Sequence, residues 1–153
     1  MSHQIRIATA NDLEQIMLIE NACFGNDAWS KANMKSELLA PHTTYVVAEE
    51  GETLIGYAGL SKQPSSTSSD IQTIAVSESR RGLGIGRELM RMLLGFAIEQ
   101  GAKEVLLEVR EDKPTPQSLY KSLGFVEIDR RENYYQPDGI SAIVMRLDLE
   151  GHK

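Results

Sequence analysis

Cysteine is almost absent from this 153-residue chain: Cys23 is the only one, so no internal disulfide can staple the fold. The three histidines, His3, His42 and His152, stand isolated without metal-ligand spacing, and no metal is expected. Positive charge is in deficit as well. Sixteen Lys and Arg against 22 Asp and Glu leave a net charge of -6, a surface that disfavours nucleic acid and anionic membrane and suits a cationic substrate. No run approaches the roughly 18 apolar residues of a membrane span. The opening M-S-H-Q-I-R-I lacks the apolar stretch of a signal peptide, which makes the cytoplasm the expected compartment. Internal repeats are absent too.

What is present is an ordinary globular balance, 41% hydrophobic and 25% charged, in a length suited to one domain over residues 1–153. Ile5–Ala8 reads as a short strand. Thr9, with Asp12 three residues on, resembles a capping box before a helix whose apolar face is Leu13, Ile16, Met17 and Ile19. Ser30 can cap a second helix ending before Pro41. Thr43–Leu60 reads as a β-hairpin around a charged, glycine-containing turn, and Pro64–Asp70 as a loop. A strand over Ile71–Val76, a strongly apolar helix over Arg87–Gln100 closed by Gly101, and a strand over Glu104–Val109 make one parallel crossover. A short helix (Gln117–Leu123) and two strands (Phe125–Ile128 and Ala142–Leu149) complete the chain. The expected class is α/β (α+β), with a mixed, mostly antiparallel sheet.

Between strand and helix of the crossover lies S-E-S-R-R-G-L-G-I-G-R. Glycines at 82, 84 and 86 allow close backbone approach, and the following helix begins with unpaired N–H groups. With Arg80, Arg81 and Arg87 they make a cradle for phosphate or pyrophosphate. A nucleotide P-loop would need G-K-[ST], which is missing. A dinucleotide site would place its third glycine at Arg87; Glu108 falls where a ribose-binding acid would sit, but the turn is too long and too basic and there is only one parallel unit.

The run R-R-G-L-G-I-G (Arg80–Gly86) resembles the CoA-pyrophosphate loop of the GNAT-superfamily N-acetyltransferases. The resemblance extends to I-A-V (Ile74–Val76), L-L-E-V-R (Leu106–Arg110) and S-L-Y-K-S-L-G-F (Ser118–Phe125). N-Y-Y-Q-P-D-G (Asn133–Gly139) with A-I-V-M (Ala142–Met145) is similar to the RimI-type branch, which acetylates ribosomal-protein alanine N-termini. It covers nearly the whole chain and implies the GNAT fold, with central parallel strands that splay apart between flanking helices. It also implies acetyl-CoA as co-substrate and direct transfer to an amine in a ternary complex.

By the same resemblance the pantetheine arm pairs with the backbone of Ile74, Ala75 and Val76, whose side chains read simply as core. The pyrophosphate then meets Arg81, Gly82, Leu83, Gly84, Ile85, Gly86 and Arg87. Glu108 takes the place of the general base, although strand alternation alone reads equally as a solvent-facing residue. Tyr120 takes that of the acid, protonated at neutral pH as a phenol is; by pattern alone it is a half-buried aromatic on an amphipathic helix. Lys113 stands where the family often carries a CoA-contacting Asn, and Pro114 and Pro116 stiffen that loop. Cys23 has no partner motif for a nucleophile.

The resemblance puts the acceptor at Trp29, Ser30, Tyr134 and Tyr135, aromatics with polar tips that suit a peptide groove. Trp29 reads equally as an anchor of its loop; Glu20, on the apolar side of the first helix, is read as exposed at the helix edge, the alternative being that it faces the cleft. The expected acceptor is a protein N-terminus. A small amine or lysine, or a non-catalytic acyl-CoA-binding module, are the alternatives, and monomer and homodimer both stay open.

Overall fold

A computed structural model describes residues 2–136 and 138–150. Seven strands form one sheet: β1 (Gln4–Ile7), β2 (Thr43–Glu50), β3 (Thr53–Ser61), β4 (Ser68–Val76), β5 (Glu104–Arg110), β6 (Val126–Tyr135) and β7 (Ile140–Asp148). Their spatial order is β1-β2-β3-β4-β5-β7-β6. Every neighbouring pair is antiparallel except β4 and β5, which run parallel around helix α3 (Ile85–Glu99).

Both faces of the sheet are covered, and the strands divide their side chains between them. Val46, Ala48, Ile55 and Ala58 face α3, where Leu89, Met90, Leu93 and Ala97 are buried. Tyr45, Val47, Leu54 and Tyr57 face α1 (Leu13–Phe24) and α2 (Lys31–Leu39), meeting Leu13, Ile16, Met17, Ile19 and Met34. Two-sided burial explains why β2 and β3 read as continuous apolar runs rather than alternating ones. On α3 the apolar face is narrower than the sequence predicts: Leu94 and Phe96 only flank the core, and Ile98 is 54% exposed.

Local signals account for the helix starts. The Ser30 hydroxyl accepts the Asn33 N–H at 3.1 Å and caps α2. The Asp12 carboxylate accepts the Thr9 N–H at 2.8 Å in the expected capping box and is gripped by Arg6 at 2.8 and 2.9 Å. That guanidinium holds the Asp12 carboxyl below the usual carboxylate range. The first turn is a short 3₁₀ segment (Ala10–Asp12), so α1 proper starts only at Leu13.

Three boundaries differ from expectation. Ser68, Ser69 and Asp70, predicted as loop, are the start of β4 and make the entire parallel pairing, opposite Glu104, Val105 and Leu106. Pro114 and Pro116 are not in a loop; they open helix α4 (Pro114–Ser122), where a missing N–H costs nothing. Strand β6 runs past Ile128, where the expected strand ends, to Tyr135, and β6 and β7 form a hairpin.

Beyond Asp70 the two parallel strands separate. Strand β4 stays with β3 as far as Val76, and β5 stays with β7 as far as Arg110, leaving a wedge between them. A bulge initiates the separation: Gly59 pairs with Thr73 and Leu60 with Ile71, so Gln72 is the extra residue that bends β4. The Tyr45 ring lies across Gly59, and its hydroxyl donates to Gln72 Oε1 at 2.7 Å while Gln72 Nε2 donates to Glu37 at 2.6 Å. A Cβ at Gly59 would overlap the Tyr45 ring carbons. Gly59→Ala should therefore cost about 1–3 kcal/mol by overpacking, read as a lower urea midpoint at unchanged m-value.

Candidate active site

The wedge between β4 and β5 is the mouth of a cavity of about 560 Å³, within the size range of small-molecule sites. Its walls are Ile71–Val76 of β4 and Leu107–Arg110 of β5. The start of α4 and the end of α1 with its following turn close the sides. Ile74, Ala75 and Val76 all line it; the Ala75 side chain is buried in the α1 core, while Ile74 and Val76 pack against the α3 core. Their outer backbone edge has no strand neighbour, since β5 has already diverged.

Beyond the C-terminal end of β4, where the wedge is open, the chain turns through Gly82 (φ 80°) and Gly84 (φ 86°), left-handed positions that favour glycine. Gly84 is the N-cap of α3 and supplies no side-chain cap. The first intrahelical bond is Glu88 N–H to the Gly84 carbonyl at 3.1 Å, which leaves the N–H groups of Ile85, Gly86 and Arg87 at the open helix end. Ile85 itself is buried, so backbone is all it offers there. Gly86 lies within the first turn of α3, where its missing Cβ would touch Leu119 (3.4 Å) and Val76 (3.9 Å). Leu83, at the tip of the turn, is 65% exposed.

The arginines of this loop divide. Arg80 turns away to Glu50, with bonds of 2.7 and 3.1 Å, and acts as an anchor of the loop on β2. Arg81 folds toward the cleft: its Nε donates to the Val76 carbonyl at 3.1 Å and its Nη2 to Cys23 Sγ at 3.3 Å. Cys23 also lines the cavity and donates to the Val76 carbonyl at 3.6 Å. Arg87 is half-buried in the first turn of α3.

Glu108 projects from β5 into the cleft. Its carboxylate receives Arg131 Nε at 2.9 Å and the Tyr134 hydroxyl at 3.4 Å, both from β6. Tyr120, on α4, lines the same cavity and is 5% exposed, its ring edge-on to Phe125 at 6.0 Å. Burial pushes its phenol well above the ordinary tyrosine range, with a smaller push from Tyr135. The Tyr135 phenol is pushed up to about 12, first by burial and then by the negative charge of Glu108. Lys113, the residue before α4, also borders the cavity.

Of the four residues expected at an acceptor site, Trp29 and Tyr135 line the cavity. Tyr134 sits at its rim, exposed, with Arg131 5.5 Å above its ring. The Ser30 hydroxyl is committed to capping α2. Glu20 corrects the expectation of helix-edge exposure. It is 1% exposed and lines the cavity, and its carboxylate accepts the Tyr57 hydroxyl and, at 2.9 Å, the Trp29 N–H. The sequence signal for this was its position on the apolar side of α1, beside Ile16 and Ile19. Asp27 and Arg110, which also border the cavity, carried no signal of their own.

Among the described residues no group of three or more His, Cys, Asp or Glu side chains is placed to hold a metal ion, and His152 lies outside them. No described helix is long and apolar enough to cross a membrane.

Residues 13–125 match the acetyltransferase (GNAT) family. The chain belongs to this family. It is an acetyltransferase, and enzymes of this family take their acyl group from acetyl-CoA. It is 40% identical over 143 residues to the N-alpha-acetyltransferase RimI of Mycobacterium tuberculosis, covering 92% of this chain and 89% of that one. A putative [ribosomal protein bS18]-alanine N-acetyltransferase of Bacillus subtilis is 31% identical over 146 residues, covering 95% of each chain. Among solved structures, the ribosomal-protein-S18-alanine N-acetyltransferase of Escherichia coli superposes with a TM-score of 0.87 at 26% identity, over 96% of this chain and 94% of that one. The acetyltransferase thus has the GNAT fold, a seven-stranded mixed sheet with four α-helices.

Glu20 gives the site a testable internal support. Glu20→Ala would leave the Trp29 N–H and the Tyr57 hydroxyl without their acceptor, which should cost about 1–3 kcal/mol. Glu20→Gln, which keeps an acceptor oxygen, should cost less. Urea unfolding of the two variants checks the order.

Proposed function

We propose that the acetyltransferase acts as a single domain that transfers acetyl from acetyl-CoA to the α-amine of a protein N-terminus. The observation that carries this reading is the wedge itself, a cleft with an unpaired strand edge on one wall and Glu108, Tyr120 and Tyr135 around it. The similarity to N-terminal acetyltransferases over more than nine-tenths of the chain supports the acceptor class.

The residues present fit acetyl-CoA. The free edge of Ile74–Val76 offers backbone groups to an amide-rich arm, as a strand would. The open N–H groups of Ile85, Gly86 and Arg87, at the positive end of α3 and beside Gly82, Leu83 and Gly84, suit a pyrophosphate. Arg81, now resting on the Val76 carbonyl, adds a cation at the junction of the two. Bound there, the donor supplies an activated acetyl thioester, and the protein must present an amine to it and manage one proton at each end.

Glu108 receives the proton of the incoming amine, directly or through water. An α-amine has a pKa of about 7.7–8, so its neutral form costs only about 1.4 kcal/mol at pH 7. Arg131 and Tyr134 fix the direction of the carboxylate. Tyr120 gives its proton to the departing sulfur. Burial keeps this phenol protonated at every physiological pH. The same desolvation opposes a free thiolate, so donor and acceptor of that proton are raised together. Lysine, with a pKa near 10.4, would add roughly 3 kcal/mol to the first step. A role on ribosomal-type N-termini places the enzyme in the cytoplasm.

Two measurements test this reading. Tyr120→Phe should lower turnover by about 10²–10⁴-fold with acetyl-CoA affinity nearly unchanged, as followed by free thiol release. Near-normal turnover would return Tyr120 to a packing role. Offered two peptides of one sequence, the enzyme should acetylate the one with a free N-terminal Ala faster than an Nα-blocked one with an internal Lys. An equal or faster reaction of the blocked peptide would overturn the acceptor, and vigorous acetylation of a polyamine with neither peptide modified would move it to small amines.

A further inference from the structure

We infer that Arg110 is a positioning residue that sets the acceptor end of the cleft by clasping two turns remote in sequence to its own strand. The inference rests on the peptide-acceptor reading and adds which interaction shapes that site. Arg110 ends β5, two residues beyond Glu108, and its side chain is only 15% exposed. Its Nη1 pairs with Asp27 in the turn between α1 and α2. Its Nε and Nη2 meet Asp112 at 3.0 and 3.1 Å, and Nη2 also meets Asp138, in the turn between β6 and β7, at 3.3 Å. The guanidinium carbon lies 5.2 Å from the centre of the Tyr135 ring. One planar group with five donors thus joins the two turns that flank the acceptor side to the strand that carries Glu108.

The Asp27 turn is fastened a second time, because the Trp29 N–H is held by buried Glu20 at 2.9 Å. Asp27, Trp29, Arg110 and Tyr135 all border the cavity, so moving the turn moves a wall. Without the guanidinium, Asp27, Asp112 and Asp138 become three like charges converging on one point and drive the segments apart. The donor end of the cleft, built from β4 and the start of α3, shares none of these contacts. Arg110 therefore governs acceptor geometry and leaves donor binding alone.

The test pairs kinetics with the fluorescence of Trp29, the only tryptophan in the chain. Arg110→Gln should raise KM for a peptide with a free N-terminus by about ten-fold or more, since ångström-scale misplacement costs up to about 10²-fold. KM for acetyl-CoA should stay within two-fold, and acrylamide should quench Trp29 more strongly. Arg110→Lys, which keeps charge without the planar fork, should do the same to a smaller degree. Asp27→Asn should mimic Arg110→Gln, and the double variant should be no worse than the poorer single, as expected of one coupled contact. Unchanged quenching and unchanged peptide KM in folded variants would overturn the clasp, and so would a matching loss of acetyl-CoA binding. If wild-type enzyme acetylates no peptide while the variants still loosen Trp29, the acceptor class fails and the clasp stands; peptide acetylation with silent variants is the reverse.

Discussion

Everything functional in this molecule depends on two parallel strands that pair for three residues and then part. Pairing β4 with β5 at Ser68–Asp70 fixes the distance between the halves of the sheet, and the bulge at Gln72 fixes the direction in which they diverge. An interior strand edge is normally satisfied by its neighbour. Here the edge from Ile71 to Val76 is open to a ligand, while β3 and β7 hold the two strands on their other sides. The stability of the sheet and the openness of the site are thus supplied by different strand pairs. The Gln72 side chain, engaged by Tyr45 and Glu37, keeps the bulge from sliding along the strand.

The two ends of the wedge are built on contrasting electrostatics. At the loop before α3, backbone N–H groups and Arg81 make a positive end without a carboxylate among their bonds. Across the cleft, Glu108, Asp27 and buried Glu20 supply carboxylates, the first two paired with Arg131 and Arg110. The field is strong enough that Glu108 raises the carboxyl of Asp70, after burial, and the phenol of Tyr135. On the proposed reading, a polyanionic donor meets the first end and the acceptor amine the second.

Legibility in the sequence followed how local each cause was. The glycine turn, α3 and β5 were legible because their signals, alternating glycines and strong apolar periods, lie within a few residues. The start of β4 was not: Ser68, Ser69 and Asp70 are polar and poor strand formers, ordered by pairing with Glu104–Leu106, with Asp70 also paired to Ser61 and the Ser69 hydroxyl donating to the Glu104 carbonyl at 3.2 Å. Strand β6 lies at the sheet edge with nearly every residue exposed, so no burial pattern marks R-R-E-N-Y-Y as strand. Glu20 was misjudged because its partners, Tyr57 and the Trp29 N–H, come from elsewhere in the chain. The carboxylates around Arg110 are invisible for the same reason. The resemblance of short motifs named Glu108 and Tyr120, whereas pattern alone left Glu108 equally a solvent-facing strand residue and favoured ordinary packing for Tyr120.

The position of β7 has a consequence for how the chain is made. It follows every other strand in sequence, yet it lies between β5 and β6 in the sheet. Until residues 140–148 have been synthesised, β5 is held only by its three pairs with β4, and β6 has no neighbour at all. A nascent chain emerging from a ribosome can complete the β2–β3–β4 meander early, but it cannot assemble the wall that carries Glu108. The wall that carries Glu108 is thus the last part of the cleft to form, after the β4 edge and the glycine turn that face it.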